Sequence, residues 1–398
     1  MSGLNETPRA DRLHIGIFGR RNSGKSSLIN ALTGQEIALV SDHAGTTTDP
    51  VYKAMELHPI GPVVFIDTAG FDDEGELGAK RVELTKKVIA KTDIALLLFE
   101  EGPLDAEKVW LDMLEEARVP VIPVVNKSDA VDRNLLCDKV HMVFGKVPYL
   151  VSAVSGDGIE YLKKAIAANV PEDYAQTIVM DKLADQGDVV LLVMPQDIQA
   201  PKGRLILPQV QTIRELLDGR CTVICTTADG YERALSTLKE PPALIITDSQ
   251  CFGPVYEKKP RSSRLTSFSV LFAAYKGDIE EFTRGARAID SLTSKSRVLI
   301  AEACTHAPLT EDIGREKIPA MLRRKYGEDI RIDVVSGADF PRRLSKYDLI
   351  IHCGACMFNR KHVLTRIEQA REAHVPITNY GITIAHLKGI LDRIDLPD

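Results

Sequence analysis

At 398 residues, with 44% hydrophobic and 27% charged side chains, the chain is long enough for two or three globular domains and too apolar to be disordered. Its net charge of −6 gives no global electrostatic footprint for nucleic acid or an anionic membrane, and no run approaches the roughly 18 apolar residues of a spanning helix. The polar N-terminus MSGLNETPRADRL lacks a signal-peptide core and seven cysteines make an odd set, so a cytoplasmic protein with thiols free for metal or packing is expected.

LHIGIFGRRNSGKSSLINAL, residues 13–32, is an alternating strand, a GxxxxGKS loop and an apolar helical pattern. Gly19 and Gly24 let backbone amides turn inward around a diphosphate, and the helix start adds partial positive charge. Lys25 is expected on the β and γ phosphates and Ser26 on magnesium. VVFIDTAG, residues 63–70, ends a buried strand in Asp67, which holds the magnesium shell through water, and Gly70, whose amide senses the γ-phosphate. VIPVVNKSD, residues 121–129, presents Asn126 and Asp129, a donor and acceptor pair that matches the edge of guanine. YLVSAVSG, residues 149–156, supplies a turn whose amides near Ser152 and Ala153 meet the base oxygen.

In this order the residues resemble the GTPase superfamily, and GTTTDP at 45–50 resembles its TrmE/Era-like group. The resemblance implies GTP as substrate, with Ser23, Gly24, Ser27 and Lys127 joining the nucleotide-binding set. It makes Thr47 the magnesium-binding switch threonine, with Thr46 and Thr48 as alternatives, and places a potassium ion on Asn22. Phe71 stands where many GTPases have a water-orienting Gln, and a phenyl ring makes no such hydrogen bond. Slow hydrolysis is therefore expected, stimulated by potassium that supplies positive charge to the transition state.

After a GTPase domain over 1–170, a polar linker leads to GDVVLLVMPQD, CTVICTTADG and PPALIITDSQ, three buried-strand patterns, with the helix LPQVQTIRELLDG between the first two. A small parallel sheet follows for 171–263. Cys221 and Cys225 share one face of a strand but lie about 13 Å apart, so they and Cys137 read as apolar packing, while Cys251 stays ambiguous. No catalytic constellation stands out here, which leaves interaction as the role. The basic run EKKPRSSR marks the next boundary.

SRVLIAEACTHAP (296–308) and YDLIIHCGACMFN (347–359) are both apolar strands that end in Cys and His. Ligands collect at the carboxyl ends of strands in an open parallel sheet, so Cys304, His306, His352, Cys353 and Cys356 are expected to converge. Three thiolates and two imidazoles suit a tetrahedral zinc or an iron-sulfur cubane with one open iron, and spacing does not decide between them. NYG at 379–381 follows a strand-like VPIT and reads as a turn, with Tyr380 lining the cluster pocket as the alternative. His14, His58, His141, His362, His374 and His386 read as surface or packing residues, and His43 as exposed.

The CxH at 304–306 followed by HCxxC at 352–356 resembles the signature of the HydF family of FeFe-hydrogenase maturation GTPases, and this resemblance covers essentially the whole chain. It implies an α/β protein with a P-loop GTPase domain, a small α/β dimerisation domain and an α/β cluster-binding domain over 264–398. It further implies a 4Fe-4S cluster on Cys304, Cys353 and Cys356, with His306 and His352 as labile ligands or as supports of the ligands. The expected role is a homodimeric scaffold that takes the diiron subcluster precursor from radical-SAM maturases and passes it to apo FeFe-hydrogenase. Nucleotide state would bias which partner is held. A regulatory GTPase with structural zinc, acting on RNA or ribosomes, is the rival reading, and the acidic balance weakens it.

Overall fold

In this computed structural model the described residues are 11–34, 51–68, 85–129, 133–171, 174, 177–195, 205–248, 251–302, 312–337, 340–341, 343–355 and 358–397. The chain divides into two units, Met1–Tyr174 and Ala175–Asp398. Among the described residues no helix is long and apolar enough to cross a membrane.

The first unit is built on a six-stranded sheet in the order β2-β3-β1-β4-β5-β6. Its strands are β1 Leu13–Phe18, β2 Val51–Leu57, β3 Gly61–Asp67, β4 Ile94–Phe99, β5 Val121–Val125 and β6 Tyr149–Leu150. Only β2 runs antiparallel to its neighbour. Helices cover both faces, which is why β1, β4 and β5 read as unbroken apolar runs and are buried at every position. Alternate residues serve opposite faces. Leu13, Ile15 and Ile17 pack with α1 (Lys25–Thr33) and α4 (Ile159–Ala168), while Phe18, Ala95 and Leu97 pack with α2 (Asp105–Glu116) and α3 (Asn134–Phe144). Trp110 of α2 meets Phe18 edge-on at 4.8 Å between centroids. Truncating it to alanine would cost about 3–5 kcal/mol.

The second unit contains two four-stranded parallel sheets. The first comprises β7 Val189–Val193, β8 Thr222–Thr226, β9 Leu244–Thr247 and β10 Arg264–Ser267 in the order β8-β7-β9-β10. The second comprises β11 Arg297–Ala301, β12 Arg331–Val335, β13 Leu349–His352 and β14 Ile377–Asn379 in the order β12-β11-β13-β14. Strand for strand, the order is the same. An equivalent helix follows three of the strands in each copy: α5 Leu207–Asp218 and α10 Ile318–Tyr326, α7 Phe252–Lys258 and α11 Arg360–Glu372, α8 Phe268–Lys276 and α12 Tyr380–Leu387, with α6 Tyr231–Thr237, among the described residues, in the first copy alone and α9 Ile279–Arg287 linking the two.

The third strand of each copy begins with the same residues, LIIT at 244–247 and LIIH at 349–352, and LTSFSV at 265–270 parallels ITNYGI at 377–382. One apolar cluster joins the copies through Leu191, Ile245 and Leu265 on one side and Leu299, Ile350 and Ile377 on the other. The boundary expected at 263/264 falls immediately before β10, which pairs with β9, so the first sheet extends past it.

Cys221 is buried in an apolar cluster, as that reading expects, and its thiol also donates to the Asp185 carbonyl at 3.3 Å. Cys225 is exposed, contrary to that reading, because β8 is an edge strand with no fully buried residue. Cys137 is half-buried against the α2 and α3 face of the first sheet.

Candidate functional sites at two sheet edges

The loop between β1 and α1 turns through two left-handed residues, Asn22 at φ 63° and Gly24 at φ 84°. A Cβ on Gly24 would lie 2.4 Å from Asn126 Nδ2, so space and conformation both require glycine. Lys25 opens α1, and its ammonium donates to the carbonyls of Gly19 at 3.0 Å and Arg20 at 2.6 Å. Ser26 Oγ donates to Asp67 Oδ2 at 2.7 Å. The two residues expected at magnesium, far apart in sequence, therefore meet as a pair of oxygens suited to a hard cation. Ser27 follows on α1, half-buried.

At the base end Asn126 joins two loops. Its Nδ2 donates to the Ser23 carbonyl at 3.3 Å, and its Oδ1 accepts from the Ala153 amide at 3.1 Å. Asp129 accepts from the Ser152 hydroxyl, which itself accepts from the amides of Val154 and Ser155. That hydroxyl, foremost, holds the exposed Asp129 carboxyl below its usual range, keeping it a charged acceptor. Lys127, at φ 61°, donates to the Asn22 carbonyl at 2.6 Å and pairs with Glu100 at 3.2 Å. Thr46, Thr47, Thr48, Gly70 and Phe71 lie outside the described residues.

Sequence reasoning missed Arg20. Its guanidinium pairs with Glu107 of α2 at 2.7 Å, and that carboxylate is 1% exposed, so the phosphate loop is tied to a helix well away in sequence. GRRNSGKS marks the arginine only as a variable position, and a glutamate on an amphipathic helix reads as solvated.

The second edge lies in the second copy of the four-stranded fold. Ala301 pairs with His352 and His352 with Asn379, so β11, β13 and β14 stop in line. The Cys353 amide donates to the Ala301 carbonyl at 3.0 Å, holding the thiol-bearing residue to the end of the strand that leads towards Cys304. Strand order reverses between β11 and β13, the switch point at which open α/β sheets take ligands. Cys353 Sγ accepts from the Ala355 amide at 3.4 Å, and Ala355 is left-handed at φ 51°. An amide aimed at a sulfur stabilises thiolate and suits a metal-bound cysteine. Cys304, His306 and Cys356 lie outside the described residues, within which no group of three or more His, Cys, Asp or Glu is placed to hold a metal.

His352 is fully buried and engaged at both ring nitrogens, by the Cys353 carbonyl at 2.7 Å from Nδ1 and by Arg366 Nη1 at 2.9 Å from Nε2. A guanidinium only donates, so Nε2 accepts and Nδ1 donates. Here His352 supports the Cys353 backbone. Arg366, itself 2% exposed, also donates to the Gly337 carbonyl at 2.7 Å and stands over the Phe340 ring.

The turn expected at NYG is a helix start. Asn379 ends β14 and its side chain caps α12 by accepting from the Ile382 amide at 2.9 Å, which makes Tyr380 the first helical residue. The Tyr380 hydroxyl is buried and has no hydrogen-bond partner among the described residues. A Cβ on Gly314 would lie 1.9 Å from it and 3.0 Å from Glu302 Oε1, so glycine makes the room this phenol occupies. Burial, then the Cys353 and Glu302 charges, push the phenol above its usual range and leave it a donor.

Three relatives illustrate what the first unit is similar to. The tRNA modification GTPase MnmE of Polynucleobacter asymbioticus is 35% identical over 163 residues, 39% of this chain and 34% of that protein. GTPase Der of Chloroflexus aurantiacus is 37% identical over 165 residues, covering 38% and 36%. GTPase Era of Geotalea uraniireducens is 33% identical over 164 residues, covering 39% and 55%. The chain thus spans between about a third and just over half of the length of these relatives. Domain-family models match residues 14–127 as a 50S ribosome-binding GTPase, 179–277 as a hydrogen maturase F dimerization domain and 280–395 as a hydrogen maturase F tetramerization domain. With a GTPase domain ahead of two consecutive hydrogen maturase F domains that together span more than half of its length, the chain belongs to the hydrogen maturase F family.

Proposed function

We propose that this protein is a GTP-hydrolysing scaffold of FeFe-hydrogenase maturation, which holds a 4Fe-4S cluster on Cys304, Cys353 and Cys356 and delivers the diiron subcluster precursor to apo-hydrogenase. The supporting observation is Cys353, a thiol one residue beyond a fully buried strand, fastened to Ala301 at the switch point of its sheet. When bound, the cluster supplies an iron without a protein thiolate, and hence a replaceable coordination position for the precursor. The Ala355 amide stabilises the Cys353 thiolate, and Arg366, through His352, fixes the carbonyl of the same residue. His306 takes the place of a labile ligand.

In the first unit Lys25 holds the β and γ phosphates, Ser26 and Thr47 ligate magnesium, and Asp67 supports it through water. Gly70 senses the γ-phosphate, and Asn126 and Asp129 select guanine. Asn22 holds potassium, and hydrolysis is slow because Phe71 orients no water. Nucleotide state favours one partner complex over another, radical-SAM maturases as donors and apo-hydrogenase as acceptor, by binding the two differently. The dimerization and tetramerization descriptions of 179–277 and 280–395 support self-association through the second unit. The setting is cytoplasmic, with neither nucleic acid nor membrane as partner.

Anaerobic reconstitution with iron and sulfide, followed by metal analysis and EPR of the reduced protein, tests this reading. About four irons per chain and a 4Fe-4S spectrum that changes on adding imidazole are expected. Stable zinc with no iron-sulfur signal would overturn it. Equal affinity of the GTP-analogue and GDP forms for the maturases would overturn the timing role.

A further inference from the structure

Tyr380 holds a place that its sister copy fills without a hydroxyl. In the first copy Ser267 ends β10 and caps α8 by accepting from the Val270 amide, and the first helical residue is Phe268, 2% exposed. In the second copy Asn379 ends β14 and caps α12 in the same way, and the first helical residue is Tyr380. A phenyl ring thus meets the packing requirement at this position. The extra oxygen is buried without a partner among the described residues, a condition that costs about 1–3 kcal/mol unless something accepts from it.

What stands beside it narrows the acceptor. Asn379 pairs with His352 on adjacent strands about 5 Å apart, Tyr380 and Cys353 are the residues that follow them, and the Cys353 charge is among those felt by the Tyr380 phenol. The neighbouring carboxylate, Glu302, is already held by Arg315 at 3.0 Å and the Ser336 hydroxyl at 2.8 Å. Gly314 lets the oxygen reach this edge, where any larger residue would occupy its place.

We propose that the Tyr380 hydroxyl donates a hydrogen bond to sulfur at the cluster site, either the Cys353 thiolate or a sulfide next to it, and thereby makes the cluster easier to reduce. This rests on the cluster-scaffold reading above. A donor to cluster sulfur stabilises the more negative, reduced form and so raises the reduction potential. Tyr380 acts through sulfur and is a positioning and tuning residue.

The test is full-length Tyr380→Phe, reconstituted with iron and sulfide beside the unsubstituted protein. Iron content and urea midpoint should stay unchanged, since Phe268 shows that the fold accepts a phenyl ring here. The midpoint potential should fall. A tenfold drop in the reduced-to-oxidised ratio at fixed potential corresponds to about 59 mV for a one-electron couple. An exchangeable-proton coupling seen by pulsed EPR of the reduced cluster, and removed in D₂O, should disappear in the variant. Phe268→Tyr should move neither reading. Unchanged potential and unchanged proton coupling in Tyr380→Phe would overturn the inference while leaving the scaffold reading standing. Failure of the unsubstituted protein to take up an iron-sulfur cluster would remove both.

Discussion

The two parallel sheets of the second unit share strand order and the placing of the final helix cap, and they diverge at one edge. After LII the first copy continues Thr247, Asp248 and, three residues on, Cys251, whereas the second continues His352, Cys353 and Cys356. Thr247 and His352 are both fully buried. The fourth strands then lead to Phe268 in one copy and Tyr380 in the other. A carboxylate therefore replaces the thiol that hangs from the neighbouring strand. Burial, and then the Asp248 charge, push the Cys251 thiol up, the opposite of what a metal ligand needs. The comparison separates what the fold provides, the same switch point in both copies, from what the side chains provide, a thiol and a phenol in one copy against a carboxylate and a phenyl ring in the other.

The largest test of this contrast is all-or-none. Cys353→Ser should reduce reconstituted iron from about four per chain to near none and leave GTP hydrolysis intact, while Cys251→Ser should keep the iron. Iron loss in Cys251→Ser would erase the distinction between the copies. Lys25→Ala should give the mirror image, with hydrolysis down on the order of 100-fold or more in a phosphate-release assay and iron uptake unchanged. Arg366→Met, at a buried cation found in the second copy, leaves His352 Nε2 and the Gly337 carbonyl without their donor. It should destabilise the second unit by about 2–4 kcal/mol in urea unfolding.

Ser267→Ala and Asn379→Ala remove equivalent caps and should each cost about 1 kcal/mol. Equal losses would confirm the equivalence of the copies. Tyr231 gives the smallest effect, since it matters only in alkali. Burial raises its phenol from 10.0 to about 12, so the neutral form favours the fold and its contribution is lost as pH rises from 10 towards 12. Urea midpoints for Tyr231→Phe should fall less steeply over that window than those of the parent protein.

Much of the first site was legible because each GTPase motif is contiguous and ends a buried strand. Ser26 and Asp67, or Asn126 and Ala153, could be joined by their roles before any distance was known. At the second edge the buried strands that end at Ala301 and His352, with Cys353 just beyond, were legible for the same reason. The matching strand order was not, because four-residue apolar runs such as LIIT and LIIH carry no information on their neighbours. Tyr380 read as part of a turn before a place in the pocket, although the asparagine ahead of it serves as a helix cap. The Arg20 pair with Glu107 depends on tertiary proximity, to which local spacing is blind.

The alignment of Ala301, His352 and Asn379 on one rung also bears on how this sequence tolerates insertions and deletions. One residue added or removed within β13 would exchange the faces of Leu349, Ile350 and Ile351 and shift Cys353 off the rung where its amide meets Ala301. The same change in the 336–348 connection leaves the strand where it is. Length variation among related chains should therefore accumulate between β12 and β13 and be absent from the four residues that precede the thiol, a pattern set by strand register before any metal is bound.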